Sequence, residues 1–494
     1  MWAVLVLILA IIVIKYLRLR FYWQRHGIPY EPYERYLYRV LWLFRTRVMH
    51  AVLTEDAKKY GKLYGSYRGL TPTLVVTDVE LAKDVLITQF GHFFERSIDF
   101  RTGDPLWDNS LSHLPYEQWK LVRTVMGYCM TSSKMRSMIP KLDNVAKRLV
   151  AKLEHIAKGD ENQLDLKKYL SAYGLDSMVA IAFGIDLDCI EKPDNDFIKY
   201  GSNIFKPGFG LLMMILCPAL LKYCPFADFP PKATSEFFGA LGKRILAEKR
   251  ERLDEVIKNN TPDIMDLHLI AQREDPNNKI TDEMLASQAF LFFIAGLDTT
   301  VNTLQLCTYF LAVNPEAQQR VYDEIRQVMD GRSDVQYQDV QKMKLLEASL
   351  LESTRLVPII PLVDRICTRD TTVAGVPFKK GMMVEIPLPP MHRNPDYFPE
   401  PEKFIPERFL KDGEISSETA AFLMFGDGPK SCVGRRLALM NMQVLLANVL
   451  LTLRLDSCPQ TPPFQLKKGL HVMDMLSQPP IIQLILREKA SYVS

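Results

Sequence analysis

The sequence predicts a mainly α-helical protein with small β-sheets, built as one large domain. Helical periodicity dominates from Glu80 onward, for example over Leu142 to Ile156 and Phe237 to Ile257, whereas strand-like runs are short and scattered. No internal repeat, low-complexity tract or clear domain break interrupts the 494 residues. These features favour one large helical body over a chain of small domains.

Composition excludes several classes of protein. The net charge of +3 is nearly balanced, so nothing suggests nucleic acid as a partner. The eight cysteines contain no C-x-x-C pair and the eight histidines no H-x-x-x-H, which argues against a zinc framework. Irregular cysteine spacing in so long a chain favours reduced thiols and therefore a body that faces the cytosol.

The N-terminus predicts a membrane anchor over residues 1–22, followed by a linker over 23–50 and a main domain over 51–494. Residues 2–14 are uncharged and apolar. Together with the aromatic residues that follow, they form a segment of about 20 residues, which is the length that spans a bilayer. A cleaved signal peptide is the alternative. It needs a basic start and a small-residue cleavage site, and this sequence has neither. Basic residues come only after the span, which places the body in the cytosol: Lys15, Arg18, Arg20 and Arg25.

Strands are expected in two places. Leu63 to Arg68 and Thr73 to Thr77 predict two strands about a turn at Gly69 to Pro72. Further short strands are expected at Val373 to Pro377 and at Val384 to Pro387.

One long helix is predicted from the N-cap residue Thr281 to Val313, where Asn314-Pro315 ends it. At its centre lies Ala295-Gly296-Leu297-Asp298-Thr299-Thr300. Glycine and threonine weaken a helix, so this stretch tolerates a locally widened turn. An acid and a hydroxyl beside such a turn suit a proton path, and a packed or solvated Asp-Thr-Thr is the alternative.

A single cysteine in a glycine loop is the strongest chemical signal. The loop runs Phe425-Gly426-Asp427-Gly428-Pro429-Lys430-Ser431-Cys432-Val433-Gly434, and its glycines permit tight turns and the close approach of the next helix. Backbone N–H groups around the Cys432 sulfur would favour a thiolate that ligates iron. A buried free cysteine is the alternative.

Two further pairs have helical spacing. Glu352 and Arg355 lie on one face among apolar neighbours, which suggests a buried ion pair that Arg408 completes. Trp119 and Arg123 are four residues apart, so the indole and the guanidinium point to the same side and could hold a carboxylate. An exposed surface pair is the alternative for Glu352 and Arg355, and a core tryptophan beside an unrelated surface arginine is the alternative for Trp119 and Arg123.

The pattern F-G-x-G-x-x-x-C-x-G resembles the haem-ligand loop of the cytochrome P450 family. The cysteine loop, the long helix and the two pairs occur in the order and spacing of that family, and the resemblance covers nearly the whole chain. It is greatest to the clan that contains vertebrate family 3 and insect detoxification enzymes. The supporting motifs are Arg365 to Asp370, His392 to Pro395, Pro401 to Phe409 and Ala438 to Met442.

This resemblance implies a haem-thiolate monooxygenase with haem b (iron protoporphyrin IX). Cys432 would ligate the iron within the loop from Phe425 to Gly434, and Glu352, Arg355 and Arg408 would form a structural network behind it. The haem propionates would be bound by Trp119, Arg123, Arg365 and Lys430. Ala295 and Gly296 would lie over the distal face, where Asp298 and Thr299 would deliver protons to dioxygen. Lysine at 430 departs from the family's usual arginine and predicts weaker haem anchoring.

The same resemblance implies a lipophilic substrate, which is hydroxylated or epoxidised with dioxygen. Electrons would come from an NADPH-dependent reductase at the endoplasmic reticulum membrane. Basic Lys120, Arg435 and Arg436 would steer it, and ordinary solvated charge is the alternative for these residues. The apolar stretch Phe205 to Leu221 suggests a second contact with membrane lipid, and a buried helix is the alternative. Candidate pocket walls are Phe100, Leu106, Phe293, Ile294, Ile359, Ile360, Leu362, Met473 and Met475. A family member that rearranges peroxides and a non-catalytic haem sensor or carrier are the alternatives.

Overall fold

A computed structural model of the chain describes residues 10, 13–96, 102–192, 196–201, 210, 229–259, 262–277, 279–416, 420–469 and 475–488. Within these residues the protein is mainly helical and carries four small sheets, which confirms the predicted fold class. Half of the proposed anchor (residues 1–9, 11 and 12) and most of the apolar stretch Phe205 to Leu221 lie outside the described residues.

The longer helices form the bulk of the body. They are Met49–Tyr60, Tyr116–Cys129, Ser132–Ala157, Lys167–Ala182, Lys232–Glu251, Ile264–Arg273, Asp282–Val313, Pro315–Met329, Lys344–Leu356 and Arg435–Thr452. Shorter helices are Tyr33–Tyr38, Phe44–Thr46, Val79–Lys83, Pro105–Asp108, Asp196–Gly201, Leu253–Asn259, Tyr337–Lys342 and Leu388–His392. Single 3₁₀ or π turns occur at Trp23–His26, Arg39–Leu43, Asp84–Thr88 and Pro406–Phe409.

Eleven short strands in the described residues form the sheets. They are β1 Leu63–Arg68, β2 Thr71–Val76, β3 Gln163–Asp165, β4 Leu362–Ile366, β5 Thr371–Val373, β6 Val376–Phe378, β7 Met383–Pro387, β8 Leu410–Lys411, β9 Glu414–Ile415, β10 Leu453–Asp456 and β11 Ile481–Leu486. The largest sheet has the order β1-β2-β7-β4, in which only β2 and β7 are parallel. Strands β10-β11-β3 form a second sheet, and β5-β6 and β8-β9 are separate hairpins.

The prediction of one strand over Val373 to Pro377 is wrong. The chain instead turns back between β5 and β6 at Ala374 and Gly375, whose φ angles are 49° and 80°. Positive φ at both central residues is the geometry of a tight hairpin turn.

The long helix Asp282–Val313, called the central helix below, has the predicted bounds. The Thr281 hydroxyl accepts the Met284 N–H at 3.2 Å, and the helix ends before Pro315. It packs against the helices Lys167–Ala182, Lys232–Glu251 and Lys344–Leu356. In the described part of the chain it alone has the length and apolarity of a membrane span, but 67% of its most apolar stretch is buried, as in a core helix. The helix continues through residues 295–300 without the widened turn that its sequence tolerates.

The predicted helix Phe237 to Ile257 is interrupted at Arg252, so one helix ends at Glu251 and another begins at Leu253. Nearby, the buried Lys249 ammonium contacts the carboxylates of Asp263 and Asp266, which form the capping box of the helix Ile264–Arg273. This buried ion cluster ties the end of one helix to the start of another.

Candidate active site

The cysteine loop joins residue 424 to the helix Arg435–Thr452 and depends on its glycines. Gly426 and Gly428 have φ angles of 67° and 70°. A Cβ atom on Gly428 would lie only 2.1 Å from the Leu86 carbonyl oxygen, so only glycine fits there. The Cys432 N–H donates to the Phe425 carbonyl at 2.7 Å and closes the loop.

Gly434 has a different role from the expected close approach of a helix. It is the N-cap of the helix Arg435–Thr452, and a Cβ atom added to it would meet no atom of the protein within 4 Å. Open space therefore lies beside this end of the loop.

The Cys432 side chain is accessible although the protein surrounds it on most sides. Cys432 has accessible surface, but the surrounding protein desolvates its thiol, and this burial raises the pKa of the thiol. A hydrogen bond from the Gly434 N–H and the charges of Arg123, Arg96 and Arg435 act in the opposite direction and lower that pKa. Exposure together with desolvation means that the thiol faces a space inside the molecule.

Basic side chains gather around this space. Burial lowers the pKa of Arg123, Cys432 opposes that shift, and Arg96 adds to it. Lys430 is buried, with its ammonium 3.8 Å from the Phe94 ring centroid and 5.8 Å from that of Trp119. A buried cation beside other cations suits a bound anion that compensates the charge.

Arg365 lies on β4 and is almost completely buried. Its Nη1 donates to the Asp364 carbonyl at 2.7 Å. Trp119 packs edge-on against Phe94, with their ring centroids 5.2 Å apart, which places it beside Lys430.

The structure brings Glu352, Arg355 and Arg408 into one buried network. Arg355 binds the Glu352 carboxylate in a bidentate manner, at 2.6 Å through Nε and 2.8 Å through Nη2. Arg408 Nε donates to the same carboxylate at 3.0 Å. Arg355 also donates to the carbonyls of His392 and Pro401, so the burial of these charges is compensated.

The central helix is open at its middle. Between Met284 and Ala312 it has only one exposed residue, Ala295, with the partly exposed Thr299 one turn further on the same face. The helix is buried before this stretch, at residues 292–294, and after it, at residues 300–312, so this face also borders a space inside the protein. The Thr299 hydroxyl donates to the Ala295 carbonyl at 2.6 Å.

Comparison with known proteins assigns the chain to a family. The family model described as Cytochrome P450 matches residues 31–486. Cytochrome P450 3A30 of Fundulus heteroclitus is 31% identical over 423 residues, which cover 83% of this chain and 84% of the relative. Lithocholate 6-beta-hydroxylase of Mesocricetus auratus is 31% identical over 443 residues, which cover 87% of this chain and 86% of the relative. The chain belongs to the cytochrome P450 family.

The protein is therefore a cytochrome P450 monooxygenase by family, with the P450 fold and a family cofactor that is a thiolate-bound haem. Its residues fit such a group. The accessible Cys432 thiol suits a metal ligand, and the cations around Arg123 and Lys430 suit the negatively charged edge of the cofactor. The open face at Ala295 and the open space at Gly434 leave room for it.

Asp298 and Gly296 point to other surroundings than Ala295. Asp298 borders a small cavity that is also lined by Phe293 and Ile294. A Cβ atom on Gly296 would lie 2.4 Å from Cε of Met178, so this glycine gives room for the neighbouring helix Lys167–Ala182.

The predicted pocket walls are only partly brought together. Phe293 packs among aromatic rings, including Phe183 and Phe238, while Ile359 and Met475 share a small apolar cluster beside the central helix. Ile360 is exposed. Leu106 and Ile294 are buried and Leu362 is half-buried, whereas Phe100 and Met473 lie outside the described residues.

Sequence reasoning missed Arg96. Its Nη2 donates to the Lys430 carbonyl, and its charge lowers the pKa of both Arg123 and Cys432. This contact joins residues 334 positions apart, so no local spacing indicates it. A β-bridge joins Glu95, the residue before Arg96, to Ile366, the residue after Arg365. The fold thereby brings Arg96 close to the predicted site residue Arg365.

Proposed function

We propose that this P450 hydroxylates or epoxidises lipophilic small molecules, using dioxygen and electrons that an NADPH-dependent reductase supplies. The observation that carries the proposal is the accessible Cys432 thiol, set in a glycine loop and facing a space inside the molecule among basic side chains. The name of the relative Lithocholate 6-beta-hydroxylase supports hydroxylation as the reaction.

The proposed cofactor is haem b, with Cys432 as the iron ligand in the loop from Phe425 to Gly434. Trp119, Arg123, Arg365 and Lys430 would bind its propionates, together with Arg96. Bound haem supplies oxygen activation, and thiolate donation favours cleavage of the O–O bond. The loop holds the thiol in place through the hydrogen bond from Cys432 N–H to Phe425 and through the glycine turns.

The middle of the central helix is proposed to transfer protons. Thr299 Oγ1 lies at the open face of this helix, where rotation of the hydroxyl away from the Ala295 carbonyl would let it donate towards the interior space. Asp298 is partly exposed and borders a small cavity, so its carboxylate is placed to exchange protons with water. The two residues would therefore hold a proton and pass it between the small cavity at Asp298 and the open face at Thr299.

The substrate is proposed to be lipophilic because the candidate walls around the central helix are apolar, among them Leu106, Ile294, Ile359 and Met475. Phe293 contributes through the aromatic cluster behind this wall.

A membrane-bound setting is proposed for the whole chain. Residues 1–22 would anchor it to the endoplasmic reticulum membrane, and the linker 23–50 and domain 51–494 would lie on the cytosolic side. Leu41 and Trp42, which are 52% and 57% exposed in the linker, add apolar surface that suits the bilayer interface. Exposed Lys120 and Arg435 could attract an acidic reductase, whereas Arg436 is partly occupied with the Tyr337 hydroxyl.

The test of this proposal is the carbon monoxide difference spectrum of the reduced protein, recorded beside Cys432→Ala. We expect the red-shifted band that gives the family its name, and we expect Cys432→Ala to lose it because alanine provides no thiolate. A wild-type protein without this band would show that no thiolate ligates the haem, and the proposal would fail.

A further inference from the structure

His392 is a buried residue that none of the roles above uses. It ends the short helix Leu388–His392 and is completely inaccessible to solvent. Its imidazole Nε2 accepts a hydrogen bond from the Leu423 N–H at 3.1 Å. Its ring stacks on Phe422, with the ring centroids 5.2 Å apart and the planes 21° from parallel.

The backbone of His392 contacts the buried ion network. Its carbonyl oxygen accepts Nη1 of Arg355 at 2.9 Å, and Arg355 holds Glu352 through two hydrogen bonds. One residue therefore contacts the ion network with its main chain and the segment before the cysteine loop with its side chain.

Hydrogen bonds continue from that segment to the cysteine. The Leu423 carbonyl accepts the Gly426 N–H at 2.8 Å, which forms the first turn of the loop. The adjacent Phe425 carbonyl accepts the Cys432 N–H at 2.7 Å. A displacement of Leu423 would thus move both ends of the loop that holds the thiol.

We infer that His392 is a positioning residue, which fixes the cysteine loop to the Glu352–Arg355 network and so sets the position of the Cys432 thiolate. This inference rests on the proposed haem-thiolate function. It gives a role to the motif His392 to Pro395, for which the sequence indicated only family resemblance.

The protonation state of His392 agrees with this role. Burial lowers its pKa to about 3, and the nearby Arg355 charge acts in the same direction. The ring is therefore neutral at neutral pH, with its proton on Nδ1 because Nε2 accepts from Leu423. A neutral acceptor is what the loop N–H requires.

Two substitutions separate the acceptor from the packing. His392→Phe keeps a flat ring against Phe422 but removes the acceptor and leaves the Leu423 N–H unsatisfied. His392→Gln removes the ring but can place an amide oxygen near the position of Nε2. The comparison uses the full-length, haem-loaded protein, with Cys432→Ala as the reference without a thiolate ligand.

The measurement is the rate at which the thiolate-type carbon monoxide band is lost on incubation at neutral pH, with the thermal midpoint from far-ultraviolet circular dichroism as a second readout. We expect His392→Phe to lose the band roughly tenfold faster, the scale of one unsatisfied buried donor, and His392→Gln to stay near wild type.

Each other outcome contradicts the inference. If His392→Phe keeps the band as long as wild type, the acceptor does not position the loop. If both variants lose the band equally and unfold at a lower temperature, His392 serves packing alone. If the wild-type protein itself lacks the band, the proposed function fails first, and the inference fails with it because no thiolate ligand exists to position.

Discussion

At the scale of single residues, the chemistry of this P450 depends on contacts that only the fold creates. The sequence indicated Cys432 from its own loop, because glycine spacing and a lone cysteine are local features. It could not indicate Arg96, since the hydrogen bond from Arg96 to the Lys430 carbonyl joins distant parts of the chain. It also gave the wrong reason for Gly434, beside which the structure leaves open space.

Lys430 is the residue whose substitution is most informative. Its ammonium lies over the Phe94 ring, and a single point charge cannot make the paired hydrogen bonds that a guanidinium offers to a carboxylate. We predict that Lys430→Arg slows haem loss several-fold. Arginine retains the charge and the ring contact, and its guanidinium adds a pair of N–H donors that can bind one carboxylate.

The measurement for Lys430 is transfer of haem from the P450 to an excess of a haem-scavenging apoprotein. Lys430→Met is the matched control, because it keeps the length of the side chain and removes the charge, and it should lose haem faster than wild type. Equal rates for lysine and arginine would contradict the prediction.

At the scale of elements, prediction succeeded where the determinants are local. The central helix has its predicted ends because Thr281 caps it and Pro315 follows it. The predicted helix over 237–257 failed because the chain breaks at Arg252 without a glycine or proline, close to the buried Lys249 that contacts the start of the helix Ile264–Arg273. Such a break depends on tertiary contacts that periodicity does not contain.

The middle of the central helix supports a prediction about oxygen chemistry. Thr299→Val preserves the shape of the side chain and removes the hydroxyl that faces the open side of the helix. If this hydroxyl passes protons, product formed per NADPH consumed should fall by about tenfold or more. The measurement is NADPH oxidation and product formation with a lipophilic alkoxycoumarin as the probe.

Thr299→Ser is the control for that experiment, because it retains a hydroxyl and should couple NADPH to product nearly as well as wild type. Unchanged coupling in Thr299→Val would contradict a role in proton transfer. Turnover of an organic hydroperoxide without NADPH, insensitive to this substitution, would instead support the peroxide-rearranging alternative.

At the scale of the whole molecule, the C-terminal part of the proposed anchor packs against the body of the protein. Residues 13–20 are helical, and Leu19 within them is buried. The Leu19 carbonyl accepts the buried Tyr67 hydroxyl at 2.7 Å. Hydropathy placed the end of the anchor near residue 22, but it cannot show that the last turns of an apolar segment also pack against a sheet.

This packing predicts that two N-terminal truncations differ in stability. Removal of residues 1–12 leaves Leu19 in place, whereas removal of residues 1–22 deletes it and leaves the Tyr67 hydroxyl without its acceptor. Burial of one leucine contributes about 2 kcal/mol, and an unsatisfied buried hydroxyl costs about 1–3 kcal/mol. The longer deletion should therefore unfold at a clearly lower urea concentration, measured by far-ultraviolet circular dichroism in detergent-free buffer.

Leu19→Ala in the shorter truncation separates the two contributions, because it removes the apolar side chain and keeps the carbonyl that Tyr67 uses. Its unfolding midpoint should fall between those of the two truncations. Equal midpoints for both truncations would mean that residues 13–22 add nothing to the stability of the body, and the functional domain would then begin after them. A difference of the expected size would place the start of the folded body inside the segment whose composition alone predicted a membrane anchor.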